Sequence, residues 1–291
     1  MYTIATFYRF TDLPDQETWR AQLKEQCEKN NILGIIILAH EGLNATVAGP
    51  KKGVIAVLEF IRSNQRFKGL THRECTSENP PFNRLRVIIR PEIVTLGDKS
   101  VNPNKTVGEY VPPEQWNDLI NDPDLLLIDT RNDYEVQIGT FKNAINPNTQ
   151  TFGQWDKYVK KNLNPKKQKK VAMFCTGGIR CEKASSIFKS EDINDVHQLK
   201  GGILSYLANS KDKKLWEGEC FVFDERVTVD KDLNKGSFQQ CFACRRPLSE
   251  KDLESIHYSA GVSCHKCINE KSEEDRLRYL ERHKQIIKKS N

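Results

Sequence analysis

Apolar and polar positions over residues 1–96 switch repeatedly between the strand and helix periods. TIATFYRF reads as a strand, and DQETWRAQLKEQCEKN as a helix with Asp15 at its N-cap. GIIILA and LNATVAG are strands on either side of the turn HEG, and KGVIAVLEFIRSN carries apolar residues at helical spacing. RLRVIIRPEIVTLG returns as a strand. The order β-α-β-β-α-β predicts a ferredoxin-like α+β domain. Residues 97–112 have no periodicity and hold Gly, Pro and Asn, which predicts a linker or arm.

From residue 113 the pattern becomes that of an α/β domain ending near 220. PPEQWNDLIND predicts a short helix. LLLIDT and KKVAMF are continuous apolar runs, as in parallel strands buried on both faces. CEKASSIFKS is a helix, and VHQLKGGILSYLAN a strand, a turn and a helix. Residues 221–291 form a third region that ends in the charged helix SEEDRLRYLERHKQIIKKS.

The composition, 37 % hydrophobic and 29 % charged over 291 residues, suits a water-soluble protein with more than one core. The longest apolar run, Ile35 to Ala39, is far short of the ~18 residues of a membrane helix. MYTIATFYRF lacks the charged and apolar regions of a signal peptide, so a cytoplasmic location is expected. In that reducing setting the nine cysteines serve as ligands, nucleophiles or core thiols rather than disulfides. The net charge of +6 is modest, but the basic residues cluster. Arg62, Arg66, Lys68, His72, Arg73, Arg84, Arg86 and Arg90 form one group. Lys160, Lys161, Lys166, Lys167, Lys169 and Lys170 form another, and Arg276, Arg278, Arg282, Lys284, Lys288 and Lys289 a third. Each is either a solvated face or part of a polyanion-binding surface.

The candidate chemistry lies in CTGGIRC, residues 175–181, just after the strand KKVAMF. Cys175 is either a core thiol before a tight turn or a nucleophile. Gly177 and Gly178 let the backbone turn several N–H groups inward. The helix beginning near Arg180 brings its positive end to the same place. Amides, a helix N-terminus and an arginine lower a cysteine pKa from ~8.5 into the range ~3.5–7.5. Ligands in open α/β sheets bind at the carboxyl ends of strands, where Cys175 stands. These features together favour the nucleophile. Cys181, one residue past Arg180, is either a resolving thiol or a small residue packed under the helix.

Residues 113–215 resemble a rhodanese domain. LLLIDTRNDYEVQIGTFKNAIN is similar to that fold's early signature, CTGGIR to its six-residue active loop, and LKGGILSYL to its late Gly-Gly turn. The resemblance implies that Cys175 and Arg180 are the catalytic pair. It makes Thr176, Gly177, Gly178 and Ile179 the loop, and Asp129 and Arg131 its supporting network. The spacing C-x4-R is tighter than the C-x5-R of tyrosine phosphatases, so phosphatase activity is not expected. Five blocks in order, HEGLNATVAG, PFNRLRVIIRPEIVTLG, CTGGIRCEKAS, FVFDERV and paired CxxC motifs, extend the resemblance over nearly the whole chain. They resemble the rhodanese-like tRNA uridine hydroxylases. That family implies oxygen-dependent conversion of the wobble uridine to 5-hydroxyuridine. It also implies the tRNA anticodon loop as partner and dioxygen as co-substrate; no membrane and no obligate protein partner is inferred. No dinucleotide fingerprint or two-His-one-carboxylate set identifies a redox cofactor. The rivals are a persulfide sulfurtransferase and an RNA-binding module with an inert rhodanese fold.

CFAC (241–244) and CHKC (264–267) are 19 residues apart, within the spacing of a structural zinc site. Cys241, Cys244, Cys264 and Cys267 supply four thiolates, a complete tetrahedral set that would hold the basic tail near RNA. His40, Glu41 and Asn44 either touch substrate or form an ordinary loop. Asp224, Glu225 and Arg226 are expected to dock the third region on the α/β domain. Cys27 and Cys75 are expected to be structural, and Trp19, Trp116, Trp155 and Trp216 to be core.

Overall fold

The computed structural model describes residues 1–98, 100–162, 170–190, 193 and 195–290. Lys166, Lys167 and Lys169, and the side chain of Lys289, lie outside the described residues.

The N-terminal part runs β1 (Tyr2–Phe10), α1 (Gln16–Lys29), β2 (Leu33–Ala39), β3 (Gly42–Gly49), α2 (Lys51–Ser63), β4 (Arg73–Ser77) and β5 (Leu85–Ile89). The sheet order is β4-β1-β3-β2-β5, so the first four strands make the expected ferredoxin-like split motif. Trp19, Leu23 and Cys27 of α1 and Val54, Val57, Leu58 and Ile61 of α2 close one core against it. The closing strand differs from expectation. RLRVIIRPEIVTLG is extended only over Leu85–Ile89, and it pairs parallel with β2 at the far edge. The motif is closed instead by RECTS, which pairs antiparallel with β1. This edge strand is nowhere fully buried, so it carries no apolar run to reveal it. Asp15 sits at the N-cap of α1 without a capping bond, because its carboxylate receives both arms of Arg66 at 2.5 and 2.8 Å.

The central part continues with β6 (Glu109–Val111), α3 (Pro113–Ile120), β7 (Leu125–Asp129), α4 (Asp133–Val136), β8 (Gly139–Phe141), α5 (Trp155–Asn162), β9 (Lys170–Phe174), α6 (Ile179–Ser190), β10 (Asp195–Leu199) and α7 (Gly202–Asn209). Four parallel strands lie in the order β6-β10-β9-β7. β6 falls inside the segment expected as a linker, whose last residues therefore complete the sheet edge. Strand alternation sends Val171, Met173 and Cys175 to the α5–α6 face and Ala172 and Phe174 to the α3–α7 face. Both faces are covered, which is why these strands read as continuous apolar runs. All four tryptophans are buried in the cores.

The third part holds β11 (Trp216–Gly218), paired with β8, then β12 (Cys220–Phe221) with β13 (Thr228–Val229) and β14 (Gln239–Gln240) with β15 (Pro247–Leu248). α8 (Glu250–Leu253) and the long α9 (Glu273–Ser290) follow. Asp224 and Arg226 pair with each other at 2.7 Å. The other arm of Arg226 reaches Cys75 at 3.3 Å, and the Glu225 amide donates to the Pro81 carbonyl. The polar groups of FDERV thus reach the N-terminal part, while Val227 packs against Tyr134 and Ile138 of the α/β part, so the segment touches both. The internal pair leaves one guanidinium nitrogen free to cross. Among the described residues no helix is long and apolar enough to cross a membrane.

Candidate active site

β9 ends at Phe174, and the next four residues turn the chain into α6 at Ile179. Gly178 takes φ +96°, and a Cβ there would stand 3.0 Å from the Tyr8 hydroxyl. Its amide donates to Cys175 Sγ at 3.0 Å. The second Gly-Gly turn grips the loop from behind. The amides of Ile203 and Leu204 donate to the carbonyls of Cys175 and Thr176 at 2.9 and 3.1 Å. Gly202, at φ +67°, approaches so closely that a Cβ would lie 2.4 Å from the Cys175 carbonyl oxygen.

Cys175 is fully buried. Burial alone raises a thiol pKa, but the Cys181 thiol, the Arg180 guanidinium and the amides of Arg180 and Gly177 outweigh it and hold Cys175 well below the ordinary range. The sign follows from magnitude. Burying an ion costs several kcal/mol. Hydrogen bonds to a charged group return about 1.5–3 kcal/mol each, and several converge here. Cys181 is pushed the other way by burial and by its bond to Cys175, so it stays a protonated donor. It lies in the apolar core and its sulfur is 3.6 Å from the Thr130 hydroxyl.

Arg180 is fixed by Glu135, which accepts from both terminal nitrogens at 2.7 Å. Burial would raise the Glu135 pKa, but Arg180 and then Arg131 hold it low. The Thr176 hydroxyl leans on the same carboxylate at 3.4 Å. Ile179 packs against Phe10, Ala39 and Ile93 of the N-terminal part. Asp129 and Arg131 are fully buried and bonded to each other at 2.6–3.2 Å. They also bind Gly139 and Thr140, so they brace the corner between β7 and β8 one layer behind the loop. The direct anchor of the loop is Glu135. Its only signal in the sequence is the capping-box spacing Asn132 to Glu135 ahead of a short helix.

Between the two larger parts lies a cleft of about 860 Å³, separated from the loop by Tyr8, Arg73 and Gly201, which line it. Tyr8, Arg9, His72, Arg73, Tyr110 and Lys200 contribute to its walls. Two of these residues touch the loop: Tyr8 over Gly178, and Arg73, whose Nη2 donates to the Gly177 carbonyl at 2.6 Å. Tyr8 and Tyr110 each donate a 2.7 Å hydrogen bond to Glu182 of α6, whose pKa burial raises. None of Tyr8, Tyr110 or Glu182 stands out in the sequence, because their meeting depends on domain docking. That docking is held by Lys183, buried between Glu92 at 2.5 Å and Glu41 at 2.9 Å. Glu41 and Asn44 both bond to Ile93 and His40 faces Asp12, all within the N-terminal part, so it is Glu41, through Lys183, that carries HEGLN across to α6.

The four cysteines of the paired motifs come together with all sulfurs within 4.8 Å of one another and pairs at 3.7, 3.8 and 4.0 Å. A tetrahedral zinc with bonds of about 2.3 Å requires sulfur–sulfur edges of about 3.8 Å, so the set fits that ion. Arg276 and Arg282 of α9 donate to the carbonyls of Ile268 and Phe242, tying the basic helix to this region.

Comparison with known proteins agrees with these parts. Residues 2–93 match the family model of the UPF0176 acylphosphatase like domain, and residues 112–209 that of the rhodanese-like domain. Two solved structures share local likeness. One is a protein of unknown function from Rhodopseudomonas palustris, 19 % identical over 36 % of this chain and 82 % of its own, with a TM-score of 0.31. The other is a rhodanese-like domain from Anabaena, 16 % identical over 38 % of this chain and 80 % of its own, also at 0.31. A curated protein of Rhizobium leguminosarum bv. trifolii, named tRNA uridine(34) hydroxylase, is 47 % identical over 98 % of this chain and 93 % of its own. At that identity and coverage, the chain belongs to the tRNA uridine(34) hydroxylase family.

Proposed function

We propose that this protein hydroxylates the wobble uridine of tRNA at C5, using dioxygen, with Cys175 as the essential residue. The observation that carries the reading is Cys175, its pKa held low by Cys181, Arg180 and the loop amides, behind Tyr8 and Arg73, which line a cleft with further cations. Uracil is electron-poor at C6. Addition of the thiolate there forms an S–C6 bond and moves the ring π pair towards O4, which makes C5 nucleophilic. Capture of one oxygen atom at C5, loss of the C5 proton and departure of the thiolate restore the ring. The second oxygen atom leaves as water, using two electrons from an external reductant.

An anticodon loop suits the site because its bases are unpaired and can be turned outward. The cleft supplies cations at Arg9, Arg73 and Lys200. The four-cysteine region would use zinc as a fold staple remote from the reaction.

The test is nucleoside mass spectrometry of tRNA from aerated cells lacking the protein, complemented with wild type or Cys175→Ser. Loss of 5-oxygenated wobble uridine that only wild type restores supports the reading. Unchanged 5-oxygenated uridine with loss of a thiolated nucleoside would instead make the protein a sulfurtransferase.

A further inference from the structure

Thiolate addition puts negative charge on the uracil, and that charge needs a donor. Arg180 spends an N–H of each terminal nitrogen on Glu135, which fixes its guanidinium in place. A second guanidinium is at hand. Arg73 opens β4 opposite Thr6 of β1 and crosses to the loop, where Nη2 holds the Gly177 carbonyl. Its Nη1 is buried and, among the described residues, has no hydrogen-bond partner. A buried donor left unpaired costs about 1–3 kcal/mol, so its retention points to a ligand atom that completes it.

The position of that nitrogen selects the ligand. Nη1 is 3.3 Å from where a Cβ on Gly201 would stand, and Nη2 is 3.3 Å from the same point on Gly177. The guanidinium therefore lies between the two glycine turns that frame Cys175, on the wall of the cleft. An oxygen bound to Nη1 belongs to a group lying against the loop itself. Because Cys175 is fully buried, Tyr8 over Gly178 must yield when a base enters, while Arg73 keeps its hold on the Gly177 carbonyl.

We propose that Arg73 Nη1 binds the uracil carbonyl oxygen that gains charge as Cys175 attacks, making the N-terminal domain half of the active site. The proposal rests on the hydroxylase reading above. The S–C6 bond forms, the π pair moves to O4, and Arg73 donates a hydrogen bond without losing its proton. Preorganised donors of this kind act where charge develops, and removing one costs about 10²–10³ in rate.

The experiment uses the full chain with Arg73→Lys, Arg73→Gln and Cys175→Ser. Each is assayed for 5-hydroxyuridine in complemented cells and for melting temperature. Binding is measured to two anticodon stem–loop RNAs, one with uridine 34 and one abasic at that position. Arg73→Lys keeps the cation, so it carries the test if Arg73→Gln fails to fold. The expected result is about 10²-fold less product, weaker binding of the uridine RNA, and abasic binding within about twofold of wild type. Product within about twofold of wild type, with Cys175→Ser inactive, would overturn the role of Arg73 and leave the hydroxylase reading intact. Equal weakening of both RNAs would place the contact on a backbone phosphate and also overturn it. An active Cys175→Ser variant would remove the reaction reading, and this proposal with it.

Discussion

Arg180 and Glu135 face each other with both guanidinium nitrogens 2.7 Å from the carboxylate oxygens, and the carboxylate is completely buried. The arginine of the loop is thereby fixed as a permanent charge beside Cys175 rather than a mobile arm for substrate. Arg180 tunes the Cys175 thiol, and under the proposal above recognition of the base falls to a different arginine, Arg73.

Glu135→Gln removes one partner of a buried pair, so stability should fall by about 3–5 kcal/mol, read by denaturant unfolding. The pH dependence follows from the direction of the shift. The Glu135 pKa is depressed in the fold, so its stabilisation is fully present above its unfolded value of about 4.3. It is lost as the pH falls through the folded value. Wild type should lose more stability than Glu135→Gln over that acid range, and parallel curves would contradict the assignment.

Cys175 should be thiolate at neutral pH, since its pKa is held down. Ultraviolet thiolate absorbance should persist below pH ~8.5, and Cys175→Ser should lower it by one thiolate, leaving the share of the four-cysteine set. The Cys181→Ser variant keeps a donor and should retain the signal, whereas Cys181→Ala removes the donor and should raise the titration midpoint.

Gly202→Ala should displace the loop. Its Cβ would fall 2.4 Å from the Cys175 carbonyl oxygen and 2.7 Å from the Gly178 nitrogen, on backbone at φ +67°. Strain of this kind costs about 1–3 kcal/mol. Activity should fall much further than melting temperature, because the glycine touches the nucleophile's own peptide.

Zinc should co-purify with the chain and be lost in Cys244→Ser. Removing it should make the region from about residue 239 sensitive to protease while the thiolate absorbance of Cys175 is unchanged, because the ion orders only its local knuckles. Loss of both together would show that the region supports the α/β domain directly.

The loop and its chemistry were legible because they are local. CTGGIR places nucleophile, glycines and arginine within one strand–turn–helix, and the CxxC pairs carry their geometry in their spacing. The ferredoxin-like order was legible from hydrophobic period, apart from RECTS, an edge strand whose half-wet positions give no apolar signal. Asp129 and Arg131 lie near the loop in the fold but bind each other and β8, while Glu135 holds Arg180.

The sequence by itself pointed to the fold classes, the CTGGIR loop and the four-cysteine cluster, since each rests on residues close in the chain or on a repeated period. Tertiary structure alone decided what surrounds Cys175. Tyr8 and Arg73 come from another domain, more than a hundred residues from the loop, and they reach it where buried Lys183 joins Glu41 and Glu92 and Ile179 packs on Phe10 and Ile93. Such contacts follow from docking of whole surfaces, which no local pattern of side chains encodes.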